Sequence, residues 1–185
     1  MRIAVALAVL WLAPVGAADS NRQLKVLSHR GLPTIEKVVV YQTKNNQRET
    51  VGEFTQFAQP LLLMGEGPFE VWVKPSGGMA VRIAEKLTVA AGTTHELKLG
   101  DLLGTIEVVG DDFPRAERIV ITALRDPGPG EKGHVPLQSA TEYRVPMCVP
   151  PGMYEVWVVP ANGAKAQRVE DNVRVQAGRN VRVGG

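Results

Sequence analysis

The chain has 185 residues, enough for one or two small domains that can each build a core but are marginal alone. Hydrophobic residues make up 44% of it, and 19 Gly and 13 Pro supply turn residues for many short strands. The formal charge of +2, with both signs interspersed, argues against an electrostatic nucleic-acid binder, which would concentrate Lys and Arg on one face.

The chain opens MRIAVALAVLWLAPVGAADS. Arg2 precedes an uncharged apolar run over 3–15, then the small residues Gly16, Ala17 and Ala18, which is the order of a secretory signal. The run is shorter than the roughly 18 residues expected of a spanning helix. Residues 1–18 are therefore expected to be a cleavable signal, with a retained short membrane anchor as the alternative. Both readings place the body in the periplasm or outside the cell.

From residue 23 short β-rich runs alternate with turns. LKVLS (24–28) and EKVVVYQT (36–43) read as strands around the turn HRGLP, and the polar KNNQRE follows as a loop. ETVGEFTQFAQ gives a third run, and PLLLM leads into a strand containing EVWV at 70–73. AVRIAEKLTVA (80–90) reads as a strand with a bend at Glu85 and Lys86, and the turn AAGTT leads to HELKL. No apolar stripe at helical spacing lasts three turns, so helices should be nearly absent after the leader.

The pattern then restarts. IEVVG (106–110) matches LKVLS, and ERIVITAL (117–124) matches EKVVVYQT. The closest match is between GPFEVWVKPSGG (67–78) and GMYEVWVVPANG (152–163), about 85 residues apart, the size of a small domain. The expected organisation is two tandem all-β sandwiches, 19–101 and 102–185, joined through GDLLG and holding about seven strands each. Alternation turns Phe69, Val71 and Val73, like Tyr154, Val156 and Val158, toward the core. It turns Glu70, Trp72 and Lys74, like Glu155, Trp157 and Val159, away from it.

A strand of the form G-aromatic-x-V-x-V, followed by a Pro/Gly turn and a V-x-V-x-A-G strand end, resembles the carboxypeptidase regulatory-like domains. These belong to a wider set of transthyretin-like and Ig-like sandwich modules. PPGMYEVWVVPANG with VRVQAG carries the resemblance best, and GPFEVWVKPSGG with LTVAAG less closely. The resemblance implies a non-catalytic, extracytoplasmic role in adhesion, binding or scaffolding. Lys–Asn isopeptide links occur in related collagen-binding repeats. They are not expected here, because Glu107 stands in the second copy where the first has Lys25.

The residues themselves offer no catalytic site. His29, His95 and His134 lack metal-ligand spacing, and no serine sits in a GxSxG elbow. PGPGEKG is Gly-rich, but its prolines remove the amides a phosphate cradle needs. Asp101, Asp111, Asp112 and Asp126 form no Asp-x-Asp ladder and read as solvated turn carboxylates rather than a Ca²⁺ site. Cys148, the sole cysteine, aligns with Leu63 and reads as a buried small hydrophobe. No metal, cofactor or enzymatic activity is expected.

The candidates are for binding. Trp72 and Trp157 occupy equivalent outward positions, where each either packs under long side chains of neighbouring strands or the other domain, or anchors a protein contact or stacks on a sugar. The loop 125–134, longer than its counterpart 43–50, brings Arg125, Lys132 and His134 as further interface candidates and is expected to be exposed. The leading expectation is an accessory or scaffolding subunit of a larger extracytoplasmic or membrane assembly, with other proteins as partners. The alternative is a secreted carbohydrate- or surface-binding adhesin.

Overall fold

A computed structural model describes residues 21–184 apart from 46, 58, 111–112 and 125–127. The expected leader, Arg125 and three of the four aspartates (Asp111, Asp112 and Asp126) lie outside the described residues. The first seven strands are β1 (Arg22–Leu27), β2 (Ile35–Lys44), β3 (Gln47–Phe54), β4 (Leu61–Leu63), β5 (Phe69–Pro75), β6 (Val81–Leu87) and β7 (Thr94–Lys98). After a single helical turn, α1 (Leu99–Leu102), come β8 (Gly104–Val108), β9 (Ala116–Ala123), β10 (Gln138–Ala140) and β11 (Met147–Val149). The chain ends on β12 (Gly152–Pro160), β13 (Gln167–Val175) and β14 (Asn180–Val183).

The strands fall into two sandwiches of the same topology. Sheets β4-β1-β7 and β3-β2-β5-β6 make the first; β11-β8-β14 and β10-β9-β12-β13 make the second. All pairings are antiparallel except β1 with β7 and β8 with β14. Those parallel pairs join the first and last strand of each copy, so the intervening strands supply the long crossover a parallel pair requires.

Each core follows from the alternation. Phe69, Val71 and Val73 meet Leu24, Val26, Val38 and Val40; Tyr154, Val156 and Val158 meet Ile106, Val108, Ile119 and Ile121. Burying each such side chain contributes roughly 1.5–3 kcal/mol. The bend expected at Glu85 and Lys86 is a bulge: Lys86 has φ 58°, and the pairing of β5 with β6 shifts register beside it. Asn172, opposite the same stretch of β12, has φ 56°, so the bulge is duplicated. Asn tolerates the left-handed region far better than Lys. Lys86→Gly should therefore raise stability by about 0.5–1 kcal/mol in urea melts.

The junction is packed. Leu99 and Leu103 are fully buried in the first core together with Cys148 of β11. The Gly178 amide donates to the Leu103 carbonyl at 2.8 Å. A side chain at Gly100 would collide with His29, its Cβ falling 2.6 Å from the ring. On the other side, the fully buried amide of Gln138 grips the backbone of Met79: Nε2 donates to the Met79 carbonyl at 2.8 Å, and Oε1 accepts from its N–H at 3.0 Å.

Cys148 is buried as expected, but its place corrects the alignment. It pairs with Thr105 as Leu62, not Leu63, pairs with Gln23. It therefore points outward from its own sandwich, into the first, whereas Leu62 is 46% exposed.

Candidate functional site

The outward face of β3-β2-β5-β6 brings together Tyr41, Trp72, Arg48 and Arg82. Val39 of β2 lies opposite Trp72 of β5, which lies opposite Arg82 of β6. The Trp72 indole Nε1 donates to Glu70 at 3.1 Å, and Glu70 pairs with Arg48 at 2.8 Å. The Arg48 guanidinium sits 5.3 Å from the ring centres of both Tyr41 and Trp72, and that of Arg82 lies 6.0 Å from Trp72. These cation–π contacts hold the indole in one orientation. Lys37 pairs with Glu53 at 3.2 Å and Lys74 with Glu36 at 2.9 Å. The hydrogen bond from Lys74 holds the Glu36 carboxyl below its ordinary range.

Two hollows share Trp72, Arg48 and Ala80. One, of about 300 Å³, runs over Lys37, Tyr41 and Lys74. The other, of about 420 Å³, runs from Arg82 across to Leu137, Val149, Pro150 and Tyr154 of the second sandwich. Exposed Met79, Val135 and Leu137 lie beside the Gln138 clasp, which places an apolar rim on a cationic and aromatic floor.

The second sandwich carries the same face, with Trp157 half-buried like Trp72. Arg168 lies opposite Trp157 as Arg82 lies opposite Trp72, with its guanidinium 5.8 Å from the indole. Arg168 also approaches Glu155 at 3.6 Å, as Arg48 approaches Glu70. Here the chain's own loop lies on the ring. Gly128 is buried, and a Cβ placed on it would fall 2.8 Å from Trp157 Cη2. Two successive turns, Glu131 N–H to Gly128 O and His134 N–H to Glu131 O, shape the segment. The Leu137 amide then ties it to Ile121 at 2.9 Å.

Trp157 is thus half-buried, as Trp72 is, with Gly128 against its ring, while residues 130–133 of the long loop are exposed. The indole Nε1 of Trp157 is buried without a hydrogen-bond partner among the described residues, and Val120 and Thr122 on the same face are fully buried. Of the loop candidates, Lys132 is exposed and His134 half-buried, and neither lies in the hollows over Trp72. Gly128→Val should push the loop off the indole, costing roughly 1–3 kcal/mol through overpacking and red-shifting the Trp157 emission.

Tyr41, Arg48, Arg82 and Gln138 escaped the sequence reading. The period of two that placed Trp72 outward also places Tyr41 on the outward face of its strand. Strand partners, which bring Arg48 and Arg82 to the ring, are set only by the tertiary pairing. Among the described residues, no three His, Cys, Asp or Glu are grouped to hold a metal ion. Burial pushes the Cys148 thiol up to about 12, which leaves it protonated and inert at neutral pH.

These features define an all-β protein of two docked sandwiches with a cleft between them. No family model and no curated protein matches the chain. Among solved structures it is similar to the Bacillus anthracis TIE protein, at 18% identity and TM-score 0.29, over 88% of this chain and 33% of that one. It is also similar to a leucine-rich repeat protein from Bacteroides thetaiotaomicron, at 14% identity and TM-score 0.27, over 88% of this chain and 26% of that one. The chain thus spans about a third and a quarter of those structures, and likenesses this slight carry no argument about fold or function. No helix of the described residues is long and apolar enough to cross a membrane.

Proposed function

We propose that the protein is a non-catalytic, exported interaction module, an accessory or scaffolding subunit that docks a partner protein in the cleft between its sandwiches. The observation that carries this reading is the hollow of about 420 Å³ that joins Trp72 and Arg82 to Leu137 and Tyr154 across a packed junction. Clefts at domain interfaces, apolar with a few fixed polar groups, are common binding sites. Trp and Arg are the residue types that most often dominate protein contacts. The resemblance of the G-aromatic-x-V-x-V strands to carboxypeptidase regulatory-like and transthyretin-like modules agrees with an extracytoplasmic binding role.

One observation favours a second reading, a carbohydrate- or surface-binding adhesin. Tyr41 and Trp72 lie together on one face with charged groups beside them, the combination a sugar platform needs. Photo-crosslinking separates the two. A photoreactive residue at Leu137, which lines the cleft, should give one discrete protein adduct in the native extracytoplasmic fraction. The same group at Lys165, exposed on the second sandwich and outside the cleft, should give none. Absence of a protein adduct at 137, or a glycan adduct there, would overturn the proposal.

A further inference from the structure

We propose that the Trp72 face holds a Gly- and Pro-containing loop of the partner protein, carrying a carboxylate, laid on the indole as segment 128–137 of this chain lies on Trp157. The inference rests on the preceding reading that this cleft docks a protein, and it names the chemistry of what enters.

The duplication supplies the first argument. Trp72 and Trp157 occupy the same position on the same strand of the same sheet, each with an Arg of the next strand opposite it. Lys37 and Arg118 are equivalent too: each lies two residues before the valine, Val39 or Val120, that faces the tryptophan. In the second copy, glycine meets the ring because no side chain fits: even a Cβ would fall 2.8 Å from it. Pro129, Gly130 and Glu131 then line a hollow together with Arg118 and Lys165, which puts a loop carboxylate and two cations around one space without a direct ion pair among these described residues. In the first copy the corresponding connection is the tight hairpin at the Lys44 and Gln47 pair, which brings no such insert. The first copy's face carries hollows of about 300 and 420 Å³, whereas the hollow of about 440 Å³ on the second copy's face is edged by its own loop.

Charge supplies the second argument. The hollows over Trp72 are lined by Lys37, Arg48, Lys74 and Arg82, with Glu53 the one carboxylate among the lining residues; Arg48 and Arg82 pair with Glu70 and Glu85. The ion pairs that Lys37 and Lys74 make are solvent-exposed, and such pairs exchange for an incoming carboxylate at little cost. A glycine backbone flat against the indole, with proline limiting the entropy lost on docking, fits an aromatic groove of this kind.

The probe is a fluorescein-labelled decapeptide with the chain's own 128–137 sequence, GPGEKGHVPL, titrated against the full protein by anisotropy. Saturable binding is expected, weakened about thirtyfold by Trp72→Ala, as for the loss of a hot spot. Lys37→Glu, checked by a urea melt because the half-buried Lys37 faces Glu53, should also weaken it, as should lysine in place of the peptide's glutamate. Three results would overturn the inference: no binding to the wild-type protein, binding indifferent to both Trp72→Ala and Lys37→Glu, or displacement of the peptide by a neutral oligosaccharide. If the peptide fails while the Leu137 crosslink to a protein persists, the loop chemistry falls and the docking cleft stands. If both fail, both fall.

Discussion

Gln138→Glu should cost about 3 kcal/mol at pH 7 and return part of that loss at pH 4. The Gln138 amide is fully buried and satisfies the Met79 carbonyl and N–H with complementary atoms, at 2.8 and 3.0 Å. A carboxylate can still accept from the N–H, but its second oxygen would face the Met79 carbonyl, acceptor against acceptor, away from water. The folded state then disfavours the ionised form, which raises the folded pKa of the new group above its unfolded value. As pH rises, the unfolded chain gives up the proton first, so the variant loses stability between the two values and is closest to wild type below both. Urea melts at pH 4 and pH 7, each against wild type at the same pH, measure this. Gln138→Leu, which removes both hydrogen bonds without a charge, should cost less and show no such dependence. An equal loss for Gln138→Glu at both pH values would mean that the clasp is wet.

Alkaline pH should loosen the protein through Cys148. Its thiol is pushed up from 9.0 to about 12 by burial among Leu99, Leu103 and the first core. Between those values the unfolded chain has released the proton and the folded chain has kept it. The unfolded state binds fewer protons, and stability falls as pH rises. At about 1.4 kcal/mol per pH unit, the loss by pH 12 approaches roughly 4 kcal/mol. Burial also raises Tyr154 and Tyr143 from 10.0, so they act in the same direction but begin one pH unit higher. Cys148→Ala should therefore remove the slope between pH 9 and 10 and leave part of it above. If wild type and Cys148→Ala lose stability in parallel from pH 9 upward, the thiol is not held in a dry junction.

Most of the architecture was legible because it depends on local pattern. The paired EVWV strings fixed which side chains enter each core, and the polar break at Glu85 and Lys86 marked the bulge. What the pattern missed are contacts between segments remote in sequence. Met147, Cys148 and Val149 form an unbroken apolar run, the signature of a strand buried on both faces, and that signal could have placed β11 at the junction. Gln138 offered no such cue, since a glutamine between turn residues reads as surface until its partner, Met79, is known. Gly128 reads as a loop glycine, and only the indole beneath it shows why a side chain is excluded. The difference between the two tryptophans was illegible for the same reason: their strands are nearly identical, and the asymmetry lies in a loop.

Iodide quenching of single-tryptophan proteins measures that asymmetry. With Trp11 replaced by Phe, Trp157→Phe leaves Trp72 as the sole indole, and Trp72→Phe leaves Trp157. Iodide, drawn by Arg48 and Arg82, should quench Trp72 more steeply. Trp157, under Gly128, should resist until Gly128→Val lifts the loop, and should then quench as Trp72 does. Equal quenching of the two indoles in otherwise unaltered proteins, or steeper quenching of Trp157, would contradict that asymmetry.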